Sequence, residues 1–305
     1  MKILICICTY KRNKSLINCL RSFKKTILPA DIKISFLVLD NTKTNESINI
    51  IKKFKKSFKF KILHINEKNR GVVSARNRCL LELKKIKCDY MAFFDDDCEI
   101  DKYWFRNVKK LIIETKSNII TGPQIYKNYK KINSSKIRNL GELFERKVKK
   151  NKSNVNWATS NNVIIKKNII LKEKVYFDKN LNKFGIGEDQ LFFLKLYKLG
   201  YDIIWSSEVK VYEKIHFHRT DSKWVMERSY RLGVLGNYID RKLYGTIIGY
   251  LINYFKFIYY LLYSILSLLN FFQKNYFYKF INFFFRSIGR FFGPFVFKKI
   301  QFYKK

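Results

Sequence analysis

The chain has 305 residues, 47% of them hydrophobic, enough to bury a full core as one large domain or two smaller ones. It carries 62 Lys and Arg against 24 Asp and Glu, a formal net charge of +38. The excess is scattered with Ile, Asn, Phe and Tyr along the whole chain, as an AT-rich genome would leave it, and no nucleic-acid signature accompanies it, so no nucleic-acid partner is expected. An anionic membrane face is the other partner such charge suits. The six cysteines, Cys6, Cys8, Cys19, Cys79, Cys88 and Cys98, form no CxxC pair and have no His at zinc spacing, which fits a reduced, cytosolic setting. "ILICICT" is too short for the apolar region of a signal peptide and runs straight into "YKRN".

"KILICICTY" reads as a first strand, apolar on both faces, and "NKSLINCLRSF" has helical periodicity. "IKISFLVLDN" is a second strand ending at Asp40, "ESINIIKKFKKS" a helix and "FKILHIN" a third strand. "GVVSARNRCLLELKKIK" opens with Gly71 and reads as a helix, and "YMAFFDDD" is a fourth strand. This alternation predicts an α/β fold with a mostly parallel, doubly wound sheet and helices on both faces. "YWFRNVKKLIIET" is the next helix and "NIITGPQIY" the next strand; residues 127 to 156 are Lys- and Asn-rich and read as a loop. "ATSNNVIIKKNII" returns to sheet, "GEDQLFFLKLYKLG" is a helix stopped by Gly200, and "YDIIWSSEVKVYEK" is a late strand pair.

Ligands of open α/β sheets bind beyond the carboxyl ends of the strands. Asp40 and the triplet Asp95-Asp96-Asp97 both close strands, so both should reach one rim. Clustered carboxylates there suit a hard divalent cation that bridges to phosphates. An acidic turn on a solvated edge is the plainer alternative.

"ICTYKRN", "VLDNT", "NRGVVSARN", "FFDDDCEI" and "GEDQLF", in this order over about residues 1 to 220, resemble the family 2 nucleotide-sugar glycosyltransferases, which have a GT-A fold. "HFHRTDSKWVMERSYRLG" is similar to the subset that builds bacterial surface polysaccharides. The resemblance implies that Thr9, Tyr10 and Arg12 border the nucleotide and that Asp40 accepts a hydrogen bond from the base. It also implies that Gly71 allows close backbone approach and that Arg76 lies near the nucleotide or its phosphates. Asp95 and Asp97 match the ends of a DxD motif. Asp97 is then the best ligand for Mg2+ or Mn2+, and Asp95 reaches the ribose or, through water, the metal. Asp96 between them counts with the donor-binding residues. In "GEDQ", Asp189 is the implied general base, with Glu188 as alternate; an acidic helix start favoured by the dipole is the other reading. His216 and His218, alternating in a strand, would share a face, with His218 a third metal ligand or a structural residue. Trp157, Asn161 and Asn162 are candidates to line the sugar pocket, although Trp157 could equally be core.

From about Trp224 the composition turns to Phe, Tyr, Ile and Leu, so a boundary falls between about 220 and 245; residues 1–225 form the catalytic domain and 226–305 a membrane-associating helical region. Asn253, Lys256, Tyr260, Ser264 and Ser267 recur at helical steps, as do Lys279, Asn282, Arg286 and Arg290. Narrow polar stripes on apolar helices are the pattern of helices lying in a membrane interface, as a monotopic or hairpin attachment, with a spanning helix and a core-packing or oligomer helix pair as the alternatives. The whole reads as a membrane-attached, metal-dependent, inverting glycosyltransferase at the cytoplasmic face of the cell membrane, a bacterial inner membrane. Its partners would be a nucleotide-sugar donor and a lipid-linked or surface glycan acceptor. Two rivals stand beside it: a nucleotidyltransferase, for which "TYKRNKS" lacks a phosphate-loop glycine, and a non-catalytic membrane-surface protein that keeps the fold.

Overall fold

The computed structural model describes residues 1–127, 144, 150–214, 217–270, 272 and 275–299. Most of the segment expected as a Lys- and Asn-rich loop, and His216, lie outside the described residues. The chain divides into two units, Met1–Lys127 with Val148–Lys214, and Asn128–Lys147 with Ile215–Lys304.

In the first unit β1 (Lys2–Thr9), α1 (Asn13–Lys24), β2 (Lys33–Asp40), α2 (Ile48–Ser57), β3 (Lys61–Asn66), α3 (Val72–Leu83) and β4 (Tyr90–Asp95) alternate as the hydrophobic pattern predicts. There follow β5 (Cys98–Ile100), α4 (Trp104–Thr115), β6 (Ile119–Thr121), β7 (Gln124–Lys127), β8 (Ser153–Asn154), β9 (Asn162–Lys166), α5 (Lys167–Glu173), α6 (Glu188–Lys198), β10 (Ile203–Trp205) and β11 (Val211–Lys214). Eight strands form one sheet in the order β3-β2-β1-β4-β9-β6-β10-β8. The β3-β2-β1-β4 half is parallel, and β9 lies antiparallel between β4 and β6.

β1 is apolar on both faces because both are covered. Ile3, Ile5 and Ile7 join Leu16, Leu20 and Phe23 of α1 and Trp104 and Phe105 of α4 in one cluster. The apolar positions of α1 recur at the spacing of one helix face, and Phe23 meets Phe36 and Phe94 edge-on at 4.9 and 5.2 Å. Leu4 and Cys6 are buried on the opposite face. There Phe93, in register with Cys6, packs on Phe177, which stacks on Phe192 of α6 at 4.2 Å.

The segment expected as one strand over 118–126 is two. At Gly122 a Cβ would stand 1.9 Å from the Val209 carbonyl oxygen, and Pro123 has no N–H to donate, so the ladder breaks there. β6 stays in the large sheet while β7 joins a three-stranded sheet, β5-β11-β7. The late strands β10 and β11 likewise belong to different sheets rather than pairing with each other.

The second unit contains a short 3-10 helix, Phe217–Thr220, then α7 (Ser222–Tyr244), α8 (Thr246–Leu269) and α9 (Tyr276–Val296). His218 lies in that 3-10 helix, not in the expected strand, and its side chain is outside the described residues. Gly245, at φ 83°, makes the turn from α7 into α8 in a region that L side chains avoid. α8 has the length and composition of a membrane-crossing helix, with mean hydropathy 1.3. Much of the polar stripes of α8 and α9 faces neighbouring helices rather than solvent: Asn253, Ser264, Ser267, Asn282 and Arg290 are buried, while Lys256 is 42% exposed at its side chain.

Candidate active site

Parallel pairing sets the rim. Thr9 at the end of β1 is in register with Asp40 of β2, and Cys8 with Asp95 of β4, so the candidates Thr9, Asp40 and Asp95 emerge side by side, as expected. Asp95 is 42% exposed at its side chain, whereas Asp96 is only 5% exposed and turns into the protein. Asp96 Oδ2 accepts from Thr9 Oγ1 at 2.7 Å, and its other oxygen meets Arg12 Nη1 at 3.2 Å. Burial pushes the Asp96 carboxyl up to about 7 against the pull of Arg12. The middle aspartate therefore braces the rim from inside and presents little to a donor. Arg12 also donates to Asp97 Oδ2 at 2.8 Å. Asp97 is thus covered by a guanidinium that is itself 44% exposed.

A second arginine ties the two acid motifs together. Arg76, buried on α3, donates to Asp95 Oδ1 at 3.1 Å and pairs with Glu188 Oε1. Burial works against its charge, but Glu188, Asp95 and Asp189 hold it protonated well above the ordinary range. Glu188 and Asp189 form the first turn of α6, entered through Gly187 at φ 84°. Their roles separate by exposure. Glu188 is buried, its carboxyl pushed up by burial, and its Oε2 has no hydrogen-bond partner among the described residues. Asp189 is half-buried; Oδ1 accepts from the Gln190 N–H at 2.7 Å and Oδ2 from the Ser160 N–H at 3.3 Å. Burial raises its carboxyl too, against the pull of Arg76. The Ser160 hydroxyl, buried beside it, also lacks a partner among the described residues.

The remaining candidates divide. Tyr10 is half-buried with the Arg70 guanidinium 4.8 Å from its ring centre, a stack the sequence did not single out. Asp40 is spent on its own loop: it accepts from the N–H and hydroxyl of both Thr42 and Ser47 at 2.7–2.8 Å, filling the sites a carboxylate offers. Burial would raise its carboxyl, but these bonds outweigh it and hold it low. A nucleotide base reaching Asp40 must replace one of them. Gly71, at φ 127°, does permit close approach, but by the Asn182 side chain: a Cβ would stand 2.1 Å from Asn182 Oδ1. Asn162 is spent on Trp104 Nε1, the Val209 carbonyl and the Pro123 carbonyl. Asn161 pairs with Gln124 and Thr159, and Trp157 is half-buried rather than core. Among the described residues no cluster of three or more His, Cys, Asp or Glu stands ready for a metal.

Sequence reasoning passed over Asn41, Ser160 and Asn182. Asn41 donates to the carbonyls of Glu67 and Asn69 and accepts from Gly71 N–H, joining the loops after β2 and β3. The "DN" that ends β2 is the only sequence signal for it.

Residues 4–177 match the family model described as glycosyl transferase family 2. The succinoglycan biosynthesis protein ExoM of Rhizobium meliloti (strain 1021) is 24% identical over 240 residues, 78% of this chain and 75% of that protein. The poly(ribitol-phosphate) beta-N-acetylglucosaminyltransferase TarS of Staphylococcus aureus (strain MW2) is 22% identical over 197 residues, 65% of this chain but 32% of TarS. Among solved structures, S. aureus TarS in complex with UDP-GlcNAc superposes with a TM-score of 0.53 at 21% identity, covering 81% of this chain and 72% of that one. The mannosyltransferase PcManGT from Pyrobaculum calidifontis, in complex with GDP-Man and Mn2+, gives 0.62 at 13% identity over 98% and 88%. These likenesses carry the fold, and the family match spans more than half of the sequence. The acid-rimmed parallel sheet is accordingly that of a GT-A enzyme, and the chain belongs to glycosyl transferase family 2.

Proposed function

We propose that the chain transfers a sugar, with inversion, from a nucleoside-diphosphate donor to a lipid-linked or surface-polysaccharide acceptor at the cytoplasmic face of the membrane. One observation carries the reading. Arg76 joins Asp95 of the donor rim to Glu188 of the "GEDQ" turn, so donor-side and acceptor-side acids share one site. Support for the donor class comes from TarS, solved with UDP-GlcNAc, and for the acceptor class from ExoM, a succinoglycan biosynthesis protein.

In this reading Thr9, Tyr10 and Arg12 border the nucleotide, and Asp40 with Asn41 orders the loops around it. Asp95 and Asp97 offer hard oxygen donors and would be the residues to hold Mg2+ or Mn2+. Such an ion supplies Lewis-acid stabilisation of the leaving diphosphate. Arg12, which donates to Asp97 here, would have to yield that carboxylate to such an ion.

Asp189 is the general base. It is half-buried, its two backbone bonds leave lone pairs free, and its raised carboxyl is a better proton acceptor than an ordinary aspartate. As the acceptor oxygen bonds to the anomeric carbon, its proton passes to Asp189. The bond from that carbon to the diphosphate oxygen breaks, and the electron pair leaves with the diphosphate. Glu188, held by Arg76, positions the turn and leaves Oε2 for a substrate hydroxyl. The test is Asp189→Asn: donor affinity stays within a few-fold while turnover falls by orders of magnitude. Collapse of donor affinity with turnover preserved would make Asp189 a binding residue.

A further inference from the structure

In the second unit α7 buries an apolar face that includes Val225, Val234, Leu235 and Ile239, whereas α8 and α9 turn polar side chains inward and large apolar ones outward. Asp240 of α7, buried, accepts from Lys256 Nζ of α8 and from Arg290 Nη1 of α9, both at 2.7 Å. Arg290 also donates to Asn253 Oδ1 at 3.1 Å, and Ser229 donates to Asn282 at 2.9 Å. The Arg286 guanidinium lies 5.9 Å from the centre of the Tyr260 ring. Around this interior the helices touch backbone to backbone. A Cβ on Gly233 would stand 2.3 Å from the Arg286 carbonyl oxygen, one on Gly289 2.2 Å from that of Tyr230, and one on Gly249 2.5 Å from Arg241 Cα. Outward face Ile247, 77% exposed, Leu251, Phe255 (68%), Leu262, Leu269 and, on α9, Phe295 (70%).

A bundle folded for water places these side chains the other way round. Small residues at helix contacts and charges paired in the interior are the pattern of helices in hydrocarbon. Lengths agree. The 24 residues of α8 reach about 36 Å and the 21 of α9 about 31 Å, against a hydrocarbon core of about 30 Å. Charge agrees as well. Of the four basic side chains in α8 and α9, Arg290 is buried, Arg286 lies against the Tyr260 ring, Lys256 is 42% exposed but ends on buried Asp240, and Lys279 stands in the first turn of α9. Arg241 and Lys242, with Lys298 and Lys299, gather where α8 begins and α9 ends, as anionic headgroups would favour.

We infer that α8 and α9 form a hairpin that crosses the bilayer, its apolar outer surface covered by lipid acyl chains and its two helices clasped to α7 through Asp240, Lys256 and Arg290. This deepens the membrane part of the proposed function and differs from helices lying flat in the interface, for which the polar stripes would have to face water.

The test is a depth profile. The full chain, with a nitroxide on a cysteine replacing Ile247, Leu251, Phe255, Leu262 or Leu269 in turn, is reconstituted in vesicles of phosphatidylcholine and phosphatidylglycerol. Accessibility to oxygen and to a nickel chelate is then compared, with the unsubstituted protein as the labelling blank. A crossing hairpin gives a depth that rises from Ile247, peaks between Phe255 and Leu262 and falls again at Leu269. A flat, shallow profile, a profile without an interior maximum, or nickel access at every position would overturn the inference. Nucleoside-diphosphate release on the same preparations reads the transfer chemistry separately, so failure of one reading is told apart from failure of the other.

Discussion

Asp96→Asn separates the buried middle aspartate from half-exposed Asp95 and from Asp97 beneath the Arg12 guanidinium. Asp96 is 3% exposed, and burial lifts its carboxyl from the ordinary 3.8 to about 7. A carboxyl raised on folding favours the protonated native state. Its contribution is fully present below the unfolded value and is lost as pH climbs toward the folded one. At about 1.36 kcal/mol per pH unit, the wild-type protein gives up as much as about 4 kcal/mol between pH 4 and 7 through this one group. Asparagine keeps the shape and an oxygen for the Thr9 hydroxyl without the charge; its loss is the bond from Arg12, which retains Asp97. The variant should therefore melt at or above the wild-type temperature at pH 8, and the advantage should shrink to nothing or reverse near pH 4. Thermal unfolding of both proteins across that range is the assay, read as the difference between them. Equal destabilisation by Asp96→Asn at pH 4 and pH 8 would mean instead that the carboxylate form holds the rim together.

Arg76→Met should cost about 3–5 kcal/mol of stability at pH 8, because it leaves Glu188 buried without its partner; a chemical-denaturation midpoint unchanged from wild type would deny the clamp. Gly71→Ala should destabilise by about 1–3 kcal/mol through its positive φ and its collision with Asn182, with partial recovery in the double variant that adds Asn182→Gly. Arg12→Gln should tighten Mn2+ binding measured without donor by electron paramagnetic resonance, as Asp97 loses the guanidinium that covers it; an unchanged affinity would mean that Arg12 does not compete with the ion.

The strand–helix alternation and the shared acid rim were legible because hydrophobic runs ending in Asp40 and Asp95 carry both the element and its exit. Polarity between partners was not. Nothing in "DDD" says that Asp96 turns inward, since that depends on Thr9 and Arg12 arriving from another strand exit. Asp40 reads as a ligand-facing acid, but Thr42 and Ser47, two and seven residues on, occupy it first. Gly71 signals close approach without naming what approaches, and Asn182 comes from more than a hundred residues away. The stripes of α8 and α9 were found by periodicity, which has the same value whether a stripe faces water or another helix. Only packing assigns Asn253 and Ser264 to the inside.

Metal-assisted transfer from a nucleotide-sugar at the rim formed by Asp95 and Asp97 leaves free nucleoside diphosphate behind. The most direct measurement is release of free nucleoside diphosphate from a panel of UDP-, GDP- and dTDP-sugars by the full chain in vesicles, with Mn2+ or Mg2+ and with chelator. Release is expected from a restricted set of donors, abolished by chelator and by Asp97→Asn in a protein that still folds. Release that persists in chelator or in Asp97→Asn, or no release from any donor, would contradict it.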